Sequence, residues 1–154
     1  MANPAHLGDA LESCARLWPD KIGARDLERA MTFRLWNDRA ARLANALRGV
    51  GLSKGDRICV LAYNCLEWLE IYAATARAGL IVTPINFRLL APEIRFIVED
   101  CEATALIVQD ELVDVVESMR ADLPLAADRF ISFGGSRRHA GYRAYEDQIG
   151  RAHV

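Results

Sequence analysis

Four short apolar runs recur along the chain, each five or six residues long and rich in Val, Ile and Leu. They are "RICVLA", "LIVTP", "ALIVQ" and "RFISF". Runs of this length and composition are typical of strands that are covered on both faces of a sheet. The predicted strands are therefore residues 57–62, 80–84, 105–109 and 129–133.

Apolar residues elsewhere recur at spacings of three and four, which places them on one side of a helix. This pattern predicts helices over residues 7–18 and about 34–48, and one helix between each pair of strands. The apolar sides of these later helices are formed by Leu69, Tyr72, Ala73 and Ala76; by Ile94, Ile97, Val98 and Cys101; and by Leu112, Val115, Val116 and Met119. The segment "IGARDLERAMTF" predicts a short β-hairpin that turns around residues 26–29.

The later elements alternate as β-α-β-α-β-α-β, which predicts an α/β fold. The expected architecture is a mostly parallel β-sheet flanked by helices with right-handed crossovers, preceded by a helix and a short β-hairpin. Asn64 and Glu67 have the spacing of a capping box at one helix start, and Gly79 is placed for a left-handed C-terminal cap.

Ligands of open parallel sheets collect at the carboxyl ends of the strands. Four predicted loops lie at that edge: residues 63–65, 85–90, 110–111 and 134–141. Candidate functional residues are therefore expected in these loops.

The composition is that of an ordinary soluble domain, with 52% apolar and 26% charged residues. The net charge of -2 does not favour binding to nucleic acid or anionic lipid. No window approaches the ~20 apolar residues that a membrane-spanning helix needs. The four cysteines form no CxxC pair, so reduced thiols in a cytoplasmic protein are expected.

The sequence offers few self-contained catalytic groups. Neither GxGxxG nor GxxxxGK[ST] occurs. The segment "GGSRR" could hold a phosphate, although a surface loop is the favoured interpretation. Cys65 is interpreted as a structural thiol, and His6, His139 and His153 have no suitable nucleophile nearby in the predicted fold. The acidic residues 110, 111, 114 and 117 lie near the start of a predicted helix, where negative charge interacts favourably with the helix dipole. They therefore need no functional explanation.

The stretch "ARAGLIVTPINFRLLAPEIRFIVEDCEA", residues 76–103, closely resembles a segment of the adenylate-forming enzymes, in their acyl-CoA synthetase branch. The stretches "WPDKIGA", "MTFRLWNDRAARLANAL" and "GLSKGDRICVLAYNCLEWLEIYAATARAG" resemble the same family in order and spacing. Asn86-Phe87-Arg88 favours the CoA-ligase branch, since peptide-synthetase adenylation domains usually have an Asp after this strand. The resemblance covers most of the chain from Leu7 to about Phe133.

The resemblance implies a two-step reaction of a fatty or aryl carboxylate with ATP, Mg²⁺ and CoA, through an acyl-adenylate, to an acyl-CoA thioester. The family's ATP-binding and catalytic segments lie downstream of the region resembled. They are a Ser/Thr/Gly-rich phosphate loop, an aromatic-x-x-Thr-Glu segment, a ribose-binding Asp and a C-terminal Lys. None of these occurs in the 154 residues, so the chain alone is expected to be inactive.

One residue of the chain is a candidate ligand contact. In similar ligases the Arg of Asn-x-Arg can approach the phosphates of CoA, which implies this role for Arg88. The alternative is that Arg88 pairs with a carboxylate such as Glu93, or is solvated. Asn86 is expected to accept a hydrogen bond from the backbone of the turn.

Two other functional classes remain open at this level. The chain could be a non-catalytic, stand-alone α/β binding or scaffolding module. It could also be an unrelated flavodoxin-like or Rossmann-like nucleotide binder, which the missing glycine motifs disfavour. Neither the acid substrate nor the oligomeric state follows from the sequence.

Residues 149–154, "IGRAHV", suggest a separate hypothesis. Written as ATC-GGA-AGA-GCA-CAC-GTC, their codons match the start of a widely used sequencing-library adapter, in which a TGA stop follows. Residues 1–148 are therefore expected to be a partial N-terminal AMP-binding domain, and 149–154 to be adapter read-through. The natural coding sequence would then continue beyond about residue 148.

Overall fold

A computed structural model describes residues 6–135 and 137–150. Their helices are α1 Leu7–Leu17, α2 Phe33–Gly49, α3 Glu67–Ala78, α4 Ala91–Asp100, α5 Val113–Glu117 and α6 Tyr145–Ile149. The strands are β1 Ile22–Arg25, β2 Ala30–Thr32, β3 Arg57–Leu61, β4 Ile81–Ile85, β5 Ala105–Gln109, β6 Phe130–Phe133 and β7 Arg143–Ala144. Single 3₁₀ turns occur at Asp110–Leu112, Arg120–Asp122 and Ala127–Arg129.

The main sheet has the strand order β4-β3-β5-β6-β7, and all of its pairings are parallel. Strands β1 and β2 form the predicted antiparallel hairpin. The predicted α/β fold is thus confirmed. Gly79 also adopts the predicted left-handed conformation, with φ of 73°, at the end of α3.

Alternate residues of β3 point to opposite faces of the sheet, as the two-residue repeat of a strand requires. Ile58 and Val60 pack with α2, α3 and α6 on one face. Cys59 and Leu61 pack with α4 and α5 on the other face. Strand β3, an interior strand of the sheet, is therefore buried on both sides, as its unbroken apolar sequence predicts.

Strand β4 departs from that prediction because it is the outer strand of the sheet. Ile81 is 52% exposed, and Pro84 is exposed as well. The local sequence is as apolar as that of β3, but only the strand order decides which strand has a neighbour on each side. The prediction of cover on both faces is wrong for β4.

The capping box predicted for Asn64 and Glu67 is also wrong. Helix α3 begins after Leu66, which makes no side-chain cap hydrogen bond. The Glu67 carboxylate instead accepts two hydrogen bonds from Arg29 in the hairpin. A charged partner from a distant segment has replaced the local cap.

Strand β7 and helix α6 are not anticipated by the sequence pattern, since two and five residues are too few for a clear period. They nevertheless complete the core, because Tyr145 is fully buried and Ile149 is 1% exposed. Of the proposed tail, Ile149 and Gly150 lie in the described region. Residues 151–154 and Ser136 of the "GGSRR" segment lie outside it.

A buried ionic cluster joins α2, α3 and α6. Arg39 donates hydrogen bonds to Glu70 at 2.6 and 3.1 Å and to Glu146 at 2.7 and 3.1 Å. The hydroxyl of Tyr145 donates to Glu70 at 2.9 Å. Glu70 is only 3% exposed, so its charge depends on these donors to replace water.

We predict that Glu70→Ala lowers the free energy of unfolding by about 3 kcal/mol, because it removes the acceptor that the Arg39 guanidinium and the Tyr145 hydroxyl share. Tyr145→Phe removes one donor and should cost about 1 kcal/mol. Urea unfolding followed by circular dichroism measures both values. Equal effects of the two substitutions would show that the carboxylate is not the centre of the cluster.

Candidate functional site

The loops that follow β3, β4 and β5 meet at the carboxyl edge of the sheet. The Tyr63 backbone N–H donates to the Gln109 side chain at 2.9 Å. The rings of Tyr63 and Phe87 meet edge to face with centroids 4.7 Å apart. Segments distant in sequence thus form one continuous surface at the predicted edge.

An open cleft of about 580 Å³, here called the aromatic cleft, lies between α3 and the turn after β4. Trp68 and Tyr72 of α3 stack with centroids 5.5 Å apart, and the Trp68 indole donates to the Tyr63 carbonyl at 2.9 Å. The cleft is also lined by Asn64, Cys65, Asn86 and Phe87. It therefore offers apolar walls with a few amide groups, a typical composition for binding organic ligands.

Arg88 lies beside this cleft in the turn after β4. Its backbone N–H donates to the Asn86 side-chain oxygen at 3.0 Å, which confirms the role predicted for Asn86. The exposed guanidinium of Arg88 lies 5.6 Å from the centre of the Phe87 ring. Glu93 accepts instead from the Leu90 N–H at 2.9 Å. Within residues 6–135 and 137–150, no carboxylate forms an ion pair with Arg88.

A second cleft of about 540 Å³ lies between the hairpin tip and the ends of β5 and β6. Arg29 spans one wall of it, with bonds to Glu67 at 2.7 and 3.2 Å and to Asp26 at 3.1 and 3.2 Å. Burial, the largest single influence, would raise the pKa of Glu67. The hydrogen bond from Arg29, a backbone hydrogen bond and the Arg29 charge together outweigh burial and hold the pKa below its ordinary value. The sequence carried no signal for this long-range pair.

The described part of the "GGSRR" segment borders a smaller cavity of about 280 Å³ after β6. The Arg138 guanidinium binds Asp147 through bonds of 2.6 and 3.0 Å. This intramolecular partner supports the surface-loop interpretation over a phosphate site.

Two further sequence interpretations can be compared with the structure. No role is predicted for His139 from the sequence. In the structure its Nε2 lies 3.3 Å from Oδ1 of Asp110, and both side chains are largely buried. This contact was not predicted from the sequence. Burial and the nearby Glu67 charge raise the pKa of the Cys65 thiol to about 12. This raised pKa agrees with the interpretation of Cys65 as a structural thiol, because a thiolate nucleophile needs a lowered pKa.

Between residues 6 and 150, Ser136 excepted, no three His, Cys, Asp or Glu side chains are grouped to hold a metal ion. Over the same residues, no helix has the length and apolar character needed to cross a bilayer.

Comparison with known proteins now identifies the family. The family model described as "AMP-binding enzyme" matches residues 11–140, so this chain belongs to the AMP-binding enzyme family. The resemblance noted from the sequence is confirmed.

Two relatives by sequence are named as a CoA ligase and a CoA synthase. The chain is 29% identical to a medium-chain-fatty-acid–CoA ligase of Ectopseudomonas oleovorans, covering 98% of this chain and 29% of that protein. It is 36% identical to a feruloyl-CoA synthase of Amycolatopsis sp, covering 70% of this chain and 22% of that protein. The chain spans 18–29% of the length of such curated relatives.

Solved structures agree on the fold. The structure of an anthranilate CoA ligase in complex with anthranoyl-AMP matches with a TM-score of 0.85 and 31% identity, covering 92% of this chain and 27% of that one. The N-terminal domain of FACL13 from Mycobacterium tuberculosis matches with a TM-score of 0.74 and 27% identity, covering 79% of this chain and 33% of that one.

The depressed pKa of Glu67 leads to a prediction about acid stability. A carboxylate whose pKa is lower in the folded state stabilises the fold fully above its unfolded pKa, and loses that effect as pH falls through the folded value. Below about pH 4.5, the free energy of unfolding of Glu67→Gln should therefore depend less on pH than that of the wild-type chain. Urea unfolding across that range measures it.

Glu12→Gln, on the exposed side of α1, is the matched control and should retain the wild-type slope. An unchanged slope in Glu67→Gln would contradict the assigned ion pair.

Proposed function

We propose that this chain is the N-terminal part of an ATP-dependent ligase that joins a fatty or aryl carboxylic acid to CoA. The family match over residues 11–140 carries the proposal, and two relatives support it, one named as a medium-chain-fatty-acid–CoA ligase and the other as a feruloyl-CoA synthase. In the proposed reaction the carboxylate attacks ATP and releases pyrophosphate. The CoA thiol then attacks the acyl-adenylate and releases AMP to form the thioester.

The contribution of this chain would be to bind and orient CoA at the carboxyl edge of the sheet. Arg88 fits a phosphate contact because its guanidinium is exposed and has no ion-pair partner among the described residues. The hydrogen bond from the Arg88 N–H to the Asn86 side chain holds the turn from which Arg88 projects, and the Phe87 ring lies beside its guanidinium. A guanidinium can donate two parallel hydrogen bonds to one phosphate group.

The groups for ATP and Mg²⁺ are proposed to come from sequence beyond these 154 residues. The described region offers no cluster of metal ligands, so no step of the adenylate chemistry is assigned to its side chains. Supporting this division, the chain spans less than a third of its curated relatives.

We predict that the purified 154-residue chain shows only background ATP–pyrophosphate exchange with fatty and aryl acids. Without a phosphate loop and a catalytic lysine, the attack on ATP lacks its main electrostatic stabilisation. The measurement is incorporation of labelled pyrophosphate into ATP, with and without carboxylate. Clear carboxylate-dependent exchange would contradict the assignment of catalysis to sequence outside this chain.

We predict that Arg88→Ala weakens CoA binding to the chain by roughly ten-fold, the loss expected for one charge-assisted contact. Arg88→Lys should bind with intermediate affinity, since it keeps the charge and loses the planar fork. Isothermal titration calorimetry with CoA at low salt measures both.

Arg16→Ala removes an exposed arginine from the last turn of α1, a residue that does not line the aromatic cleft, and is the matched control. Equal weakening by Arg16→Ala would indicate that only net charge matters. Unchanged affinity in Arg88→Ala would remove Arg88 from the CoA site.

A further inference from the structure

Two cysteines from separate elements meet inside the domain. Cys59 lies in the middle of β3 and Cys101 caps the C-terminal end of α4. Their sulfur atoms are 3.5 Å apart, although the residues are 42 positions apart in sequence. Cys59 is fully buried, while Cys101 is partly exposed. No second contact between cysteine sulfurs occurs in the part of the chain that the structure describes.

The turn that carries Cys101 is tied to the start of β3. The Arg57 guanidinium donates to the carbonyl of Cys101 at 2.8 Å and to that of Glu102 at 3.0 Å. The Thr104 N–H donates to the Arg57 carbonyl at 2.8 Å. These bonds hold the two sulfurs close to each other in the folded chain.

Glu102 occupies the left-handed region, with φ of 49°, which is uncommon for a residue with a side chain. A disulfide needs an S–S distance near 2.05 Å, so the sulfurs must approach by about 1.5 Å. Cys59 is fixed between two strands, whereas Cys101 lies at a helix end. The helix end and its turn are therefore the part that must move.

We propose that Cys59 and Cys101 form a site of reversible disulfide modification whose oxidant is a hydroperoxide or a small-molecule disulfide. With a hydroperoxide, Cys101 is oxidised first: its sulfur attacks one oxygen, the O–O bond breaks, and water or an alcohol leaves with the thiol proton. The Cys59 sulfur then attacks the Cys101 sulfenic acid. The S–O bond breaks, the S–S bond forms, and water leaves with the second proton.

With a small disulfide, Cys101 attacks one of its sulfurs and releases a thiol. Cys59 then displaces the second thiol from the mixed disulfide. Exposure sets this order, since solvent reaches Cys101 and not Cys59. Burial also raises the pKa of the Cys59 thiol, which disfavours Cys59 as the thiol that reacts first. An external dithiol reverses the modification and is itself oxidised.

The test uses the whole 154-residue chain, treated under native conditions with hydrogen peroxide or oxidised glutathione. Free thiols are then alkylated in denaturant and counted by mass spectrometry. We expect two of the four thiols to be lost, a mass lower by two hydrogens, and one cross-linked peptide pair containing Cys59 and Cys101. Dithiothreitol should restore all four thiols. The oxidised chain should melt ~5–10 °C higher.

Cys101→Ala should prevent the cross-link, while Cys14→Ala and Cys65→Ala should leave it intact. Peptide mapping of the wild-type chain needs no variant, so it decides the proposal even if Cys101→Ala fails to fold. Four free thiols after oxidation, a cross-link through Cys14 or Cys65, or a sulfinic acid on Cys101 without a disulfide would each overturn the proposal.

Discussion

Parallel pairing of β3 with both of its neighbours is the constraint on which the rest of the structure depends. Leu61 at the end of β3 is paired with Ile85 of β4 and Val108 of β5, so the three strands end together. Parallel strands also need long crossovers, which here are helices that cover the two faces. The same pairing therefore builds the core and gathers the loops at one edge.

The hydrophobic faces set this arrangement, and polar contacts fix its details. Helices α2 and α3 pack on the same face as α6, and the Arg39–Glu70 cluster determines how α6 meets them. At the carboxyl edge, the Arg29–Glu67 pair joins the hairpin to the start of α3. Both clusters connect segments more than 30 positions apart, since Arg39 and Glu70 are separated by 31 and Arg29 and Glu67 by 38.

The fold could be predicted because each major strand and helix carries its own period. Strand β3 is apolar throughout, and α2 repeats its apolar residues at helical spacing, so their types follow from local sequence. The edge position of β4 could not be predicted, because it follows from the order of the strands in the sheet of the described residues, which the local sequence around Ile81 does not encode. The prediction of a capping box at Asn64 was wrong because Arg29, which is distant in sequence, binds the Glu67 carboxylate.

In the candidate site, the turn containing Asn86 and Arg88 could be predicted, because it follows a predicted strand and resembles a motif of the family. The aromatic cleft could not, because Trp68 and Tyr72 have the spacing of core residues and only the tertiary structure shows that they line an open surface. The contact of Cys59 with Cys101 is equally invisible to a search for closely spaced cysteines.

The carboxyl edge of the sheet is the proposed ligand-binding side of the domain. The opposite edge offers a competing basic surface, with Arg48, Lys54 and Arg77 around a cavity of about 610 Å³. Backbone amide chemical shifts of the labelled chain, recorded during titration with CoA, distinguish the two. If CoA binds at the carboxyl edge, the largest chemical-shift changes should fall on the amides of Asn64, Phe87 and Arg88. Shifts centred on Lys54 and Arg77, or none at the carboxyl edge, would contradict it.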